Sequence, residues 1–151
     1  MQPDGAGLKA PLQVKWMHAA MIAATCIYLI VLIAIQKTGY EPLFHQSDFL
    51  GKNLAATGLM VVLSFVAAVD IIIGIFLPRW MLKRYPREER ARRLLMVEVL
   101  RVAFLQAVAI YGLILGILGA GWVVAVVFFA VSLAVLVKYF PTDNLWNRMT
   151  K

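Results

Sequence analysis

Four apolar runs, each about as long as a bilayer is thick, constrain this chain more than any other feature. The first goes from Trp16 to about Ile35, with only His18, Thr25 and Gln36 as polar interruptions in or beside it. The second runs from about Leu54 to Leu77 and meets Pro78, the third from about Leu94 to Ala120, and the fourth from Trp122 to about Phe140, ahead of Pro141. A helix needs roughly 17–25 mainly apolar residues to cross about 30 Å of hydrocarbon. Core helices of soluble proteins rarely run that long without a polar stripe. The pattern predicts an all-α integral membrane protein: one membrane domain over residues 1–151, a four-transmembrane-helix bundle with spans at about 16–36, 54–78, 94–120 and 122–140. Composition agrees, since 62% of the 151 residues are apolar and 15% charged, more apolar area than so small a soluble domain can hide. The first run has no short apolar segment followed by a small-residue cleavage site, so it reads as a retained signal-anchor.

The placement of lysine and arginine sets the expected orientation. Lys9 and Lys15 precede the first span, and Lys138, Arg148 and Lys151 end or follow the fourth. Arg79, Lys83, Arg84, Arg87, Arg90, Arg92 and Arg93 crowd the linker between spans 2 and 3. With four spans all three groups share one side, opposite Lys37 and Lys52 and the Gly119–Gly121 turn. N and C termini and the basic loop 79–93 are therefore expected in the cytoplasm, with the loop 37–53 outside, in a multi-pass protein of a bacterial-type inner (plasma) membrane. Trp16, Trp80, Trp122 and Tyr139 fall at span ends, where interfacial aromatics belong. The net charge is +7. Because its basic residues lie between apolar runs, anionic lipid headgroups are the expected partners, not nucleic acid.

Small residues suggest how the spans pack. Gly112 and Gly116 form a G-x-x-x-G pair in span 3, and Ala19, Ala20, Ala23 and Ala24 make a small face on span 1. Such faces let helix backbones approach closely, here within the bundle or at a contact with a second copy. In the outer loop Pro42 keeps the chain out of a helix, and Ser47 or Asp48 is placed to cap span 2. His45 and Asp48 make two candidate metal ligands where a closed zinc site wants four, so the loop reads as solvated. In the inner loop Pro86, Arg87, Glu88 and Glu89 resemble a helix start, so span 3 is expected to begin as a basic helix before it enters the membrane. The basic residues hold the loop inside and contact anionic lipid, or offer a docking surface to a soluble partner.

Three ionisable residues lie within spans, where each raises a functional hypothesis: Asp70 in span 2, and Glu98 and Arg101 in span 3. At 1.5 Å per residue Asp70, eight residues before Pro78, and Arg101, eight after Arg93, both sit about 12 Å inside the same boundary. An intramembrane Asp70–Arg101 ion pair between antiparallel helices is the expectation, with Glu98 on the face of Arg101 to complete a cluster. The alternative is a polar path for ions or protons through Asp70. His18 and His45 are expected on opposite sides of the membrane, so this chain alone cannot use both to hold a haem.

The stretch Arg101-Val-Ala-Phe-Leu-Gln106-Ala-Val-Ala-Ile-Tyr111-Gly-Leu-Ile114 resembles the ion-carrying helix of rotary ATPase c subunits (proteolipids), where a carboxylate precedes a similar Ala-x-x-Ile-Tyr-Gly-Leu run. The resemblance covers about a dozen residues of one span. The position of the family's carrier glutamate holds Gln106, which cannot titrate, and spans 2 and 4 lack the family's glycine-rich partner helix. It implies a relative without ion carriage, and no site is carried over.

Cys26 is the single cysteine, which excludes an intrachain disulfide and leaves no thiol cluster for a metal. There is no glycine-rich phosphate loop, nucleophile-and-base set or cofactor motif. The expectation is a protein without metal or cofactor and without catalysis. It would be a subunit or accessory/assembly factor of a larger membrane complex, partnered by lipids and by other subunits or itself; the alternative is a small oligomeric channel or transporter with Asp70 in its path.

Overall fold

The computed structural model of the chain describes residues 11–84 and 87–143, without the side chains of residues 79, 82 and 87–92. Lys9, Pro86, Arg148 and Lys151 lie outside the described residues, as do the side chains of Arg79, Arg87, Arg90 and Arg92. Four helices account for most of it: α1 Leu12–Lys37, α2 Leu54–Lys83, α3 Arg87–Leu118 and α4 Trp122–Lys138. Three stretches, Leu12–Lys37, Leu54–Pro78 and Arg93–Leu118, are long and apolar enough to cross a membrane. The apolar α4 is shorter, at 17 residues, or about 25 Å.

Helix α2 continues through Pro78 to Lys83 instead of stopping at the proline, and α3 begins at Arg87. Most of the expected basic loop 79–93 is therefore helical. An interior proline removes the hydrogen bond to the carbonyl four residues back, here that of Gly74. The Arg101 Nε of α3 donates to that carbonyl at 3.3 Å, and this replacement donor lets the helix run on past the proline. At the other end α3 stops at Leu118 rather than Ala120, because Gly119 turns left-handed (φ 101°) and the Ala120 N–H returns to the Leu115 carbonyl at 2.9 Å. That is a Schellman ending. The Leu118 carbonyl it leaves over accepts the Phe44 N–H at 3.0 Å, which fastens the 38–53 connection across the α3–α4 turn.

Helix α3 is the hub. It packs against α1, α2 and α4, while α1 also packs against α4 and meets α2 little. The apolar contacts give the directions. Met17, Met21 and Ile22 of α1 meet Val102 and Leu105 of α3 and Leu136 of α4. Further along, Leu32 meets Ala109, Ala125 and Phe129. So α1 runs parallel to α3 and antiparallel to α4. Beyond them Phe49, Ala56, Leu115 and Ala120 form the core at the α3–α4 turn, with Phe44 set edge-on to Phe49. At the opposite end Lys15 and Asp143 join the start of α1 to the residues after α4 at 2.9 Å, so the described chain ends lie together.

Glycines 112 and 116 lie inside this bundle. A Cβ on Gly112 would stand 2.6 Å from that of Phe128, and one on Gly116 would stand 2.7 Å from the Leu32 side chain and 3.2 Å from the Ala125 Cβ. The alanines of α1 behave differently: Ala19, Ala20 and Ala23 are exposed, and α1 turns Val14, His18, Thr25 and Leu32 inward. Larger side chains make that contact because Thr25 hydrogen-bonds Gln106 of α3 and His18 faces Glu98. In the outer connection the expected cap also moves. Asp48 accepts the His45 N–H at 2.8 Å within its own turn, and Asn53 caps α2 by accepting the Ala55 N–H at 3.0 Å. Gly51 (φ 101°) breaks the chain between the two.

Candidate functional site

Every helix that touches α3 sends a polar group to it, and these contacts form the candidate site. Glu98, Arg101, Gln106 and Tyr111 follow one another along α3, on faces that meet different neighbours.

The innermost charges are Glu98, 0% exposed, and Arg101, 2% exposed. Three residues apart on one helix, they share a face, and Arg101 Nη1 reaches Glu98 Oε1 at 2.5 Å. The guanidinium thus serves its own helix through Nη1 and α2 through Nε, on the Gly74 carbonyl. Its carbon also stands 5.1 Å from the centre of the Tyr139 ring, beyond α4, within cation–π range. A planar fork with several donors can bridge three elements in this way; an ammonium cannot. The close approach needs Gly74, where a Cβ would meet Leu105 at 3.3 Å.

The expected Asp70–Arg101 pair is replaced by two separate contacts. Arg101 takes Glu98, and Asp70 accepts a hydrogen bond from the Tyr111 hydroxyl at 2.8 Å. The reason is geometric. Arg101 reaches α2 at Gly74, one turn beyond Asp70, while Tyr111, ten residues along α3, reaches back toward its own N-terminus as long helical side chains do. Glu98 is therefore the partner carboxylate rather than an accessory to the pair.

Sequence reasoning passed over His18, which is 0% exposed. Its Nδ1 lies 3.2 Å from the Val14 carbonyl, its Nε2 lies 3.8 Å from Glu98 Oε2, and the Phe140 ring meets it edge-on. One signal was available: Val14, His18, Thr25 and Leu32 recur at helical spacing on a single face of α1. Two turns along, the Gln106 amide lies 3.2 Å from Thr25 Oγ1, whose hydroxyl is also 3.0 Å from the Met21 carbonyl. A threonine has one hydroxyl proton. With that proton on Met21, the amide serves Thr25 best by turning its NH2 toward Oγ1, which also gives the buried Gln106 nitrogen a partner. On α4, the Ser132 hydroxyl donates to the Leu105 carbonyl at 2.8 Å.

Between these contacts lie Val102, Leu105, Val108 and Ala109, each at most 1% exposed. The polar groups are thus separate ties with apolar packing between them. At the α2–α3 connection the basic residues whose side chains are described, Lys83, Arg84 and Arg93, are exposed, and Arg84 stacks over Trp80 at 3.8 Å. Comparison with protein-family models, curated proteins and solved structures found no match for the chain.

Proposed function

We propose that this chain is a non-catalytic subunit or accessory/assembly factor of a larger complex in a bacterial-type inner membrane. In this reading α4 is a fourth span, helped by Tyr139 and Phe140 beyond its end, and the chain ends and the basic α2–α3 connection face the cytoplasm. Exposed Lys83, Arg84 and Arg93 then meet anionic lipid headgroups or an adjoining subunit.

One observation carries the proposal. Thr25 of α1, Asp70 of α2 and Ser132 of α4 each hydrogen-bond α3 in separate contacts, buried for Thr25 and Ser132 and part-buried for Asp70, with Val102, Leu105 and Ala109 filling the space between. Groups used in this way specify how helices pack. A conduction path needs them in sequence with water between, and Asp70, the carrier in the alternative reading, is tied to Tyr111. Gln106, at the carrier position of the proteolipid resemblance, is likewise occupied with Thr25.

The test is to extract the protein from its native membrane in a mild detergent and measure the size and composition of the particle. Co-migration with other subunits at fixed stoichiometry supports the proposal. A lone monomer or homo-oligomer overturns it and makes ion flux in liposomes, with Asp70→Asn, the next measurement.

A further inference from the structure

The contact between α1 and α3 at His18 and Glu98 is one proton short. The Val14 carbonyl can only accept, so His18 Nδ1, 3.2 Å away, carries a hydrogen. An imidazole protonated there alone turns a bare lone pair outward at Nε2. That lone pair faces Glu98 Oε2, also an acceptor, at 3.8 Å, and neither atom has a hydrogen-bond partner. Two buried acceptors turned toward each other are unfavourable in a low-dielectric interior. A hydrogen on either atom turns the contact into a bond.

The surrounding groups narrow what can fill the gap. On α3, Arg101 holds Glu98 Oε1 and leaves Oε2 to the imidazole. On α1, Lys15 lies one turn before His18, with its ammonium on Asp143. After α4, Tyr139 covers Arg101 and Phe140 edges the imidazole. From α2 comes the Gly74 carbonyl, on Arg101 Nε, while Asp70, a turn further on, is held by Tyr111. A metal ion would find two ligands and a guanidinium beside it, a poor site by ligand count and by charge. A proton needs no further ligands.

We propose that His18 and Glu98 form a buried proton-binding site that ties α1 to α3. The proton adds to a lone pair of Nε2 or Oε2, enters from water at the Lys15–Asp143 end, and leaves by the same route with no electron transferred. Loaded, the pair closes from 3.8 Å toward the roughly 2.8 Å of a charge-assisted bond. Empty, the two acceptors face each other and α1 loosens from α3. The packing of α1 thereby responds to proton activity at that end of the bundle.

The chain has two histidines, and His45 is exposed on the outer connection, so His45→Gln leaves a single imidazole to observe. That protein, labelled with 15N-histidine and 13C-glutamate in lipid nanodiscs, is followed by NMR from roughly pH 5 to pH 9, the range in which histidine switches. The expected result is a hydrogen shared between Nε2 and Oε2 at the acid end. Its loss as pH rises supports the site. In a Glu98→Gln variant the amide donates to Nε2 without titrating, so the His18 transition disappears or moves by about one pH unit or more. Two results overturn the proposal: a neutral, unbonded Nε2 beside an ionised Glu98 at every pH, or an unchanged His18 spectrum in Glu98→Gln. The near-isosteric variant is checked for monodisperse elution first. If it does not fold, the parent decides, because one shared proton requires His18 and Glu98 signals to change at a common midpoint, and separate midpoints overturn it.

Discussion

A single methyl group at Gly112 tests how closely α3 and α4 meet. An ideal Cβ at that position stands 2.6 Å from the Phe128 Cβ and 3.1 Å from the Ala125 carbonyl oxygen. Carbon atoms rest comfortably at about 3.5–4.0 Å, so Gly112→Ala forces the two helices apart locally by about 1 Å. Phe128 cannot yield by changing rotamer, because its Cβ is fixed to the backbone of α4. Overpacking of this kind costs about 1–3 kcal/mol, set against a gain of about 0.5–1 kcal/mol from replacing glycine within a helix. Gly58 in α2 is the matched control, since a Cβ there meets nothing within 4 Å and only the favourable backbone effect remains. The difference between the two substitutions isolates the overpacking, about 1–3 kcal/mol against Gly112→Ala. The assay is equilibrium unfolding in mixed micelles against increasing SDS fraction, followed by helicity and tryptophan fluorescence. Equal stability of Gly112→Ala and Gly58→Ala would refute the close α3–α4 contact.

The polar contacts give three further predictions. Arg101→Leu strands Glu98 without its charge partner and should cost about 3–5 kcal/mol in the same assay. Exchanging Asp70 and Arg101 should fail to restore folding, because the carboxylate that serves Arg101 is Glu98; recovery of folded protein would revive a direct Asp70–Arg101 pair. In Pro78→Ala a new N–H reaches the Gly74 carbonyl, so Arg101→Lys should cost less there than in the parent, with a double-mutant coupling of about 0.5–1.5 kcal/mol; zero coupling would show that Arg101 does not replace the proline's missing donor. Gly119→Ala combines a left-handed φ of 101° with a clash against the Phe44 carbonyl and should lower stability by at least about 1–3 kcal/mol, read as the SDS midpoint.

The helical class, three helices long and apolar enough to cross a membrane, and the start of α3 at Arg87 were legible in the linear chain, because a run of apolar residues and a Pro-Arg-Glu-Glu helix start act locally. The glycine pair of α3 was legible as a packing signal for the same reason. Which polar groups meet was not legible. Distance along the sequence placed Asp70 and Arg101 at similar depths, but depth says nothing about rotation, and each helix presents a given depth on every side. Packing against α3 decided that Arg101 reaches past Asp70 to the Gly74 carbonyl, that Tyr111 reaches back to Asp70, and that His18 turns inward while the small alanine face of α1 turns out. The persistence of α2 beyond Pro78 belongs to tertiary structure as well, since the donor that replaces the proline's missing one comes from another helix, 27 residues away along the chain.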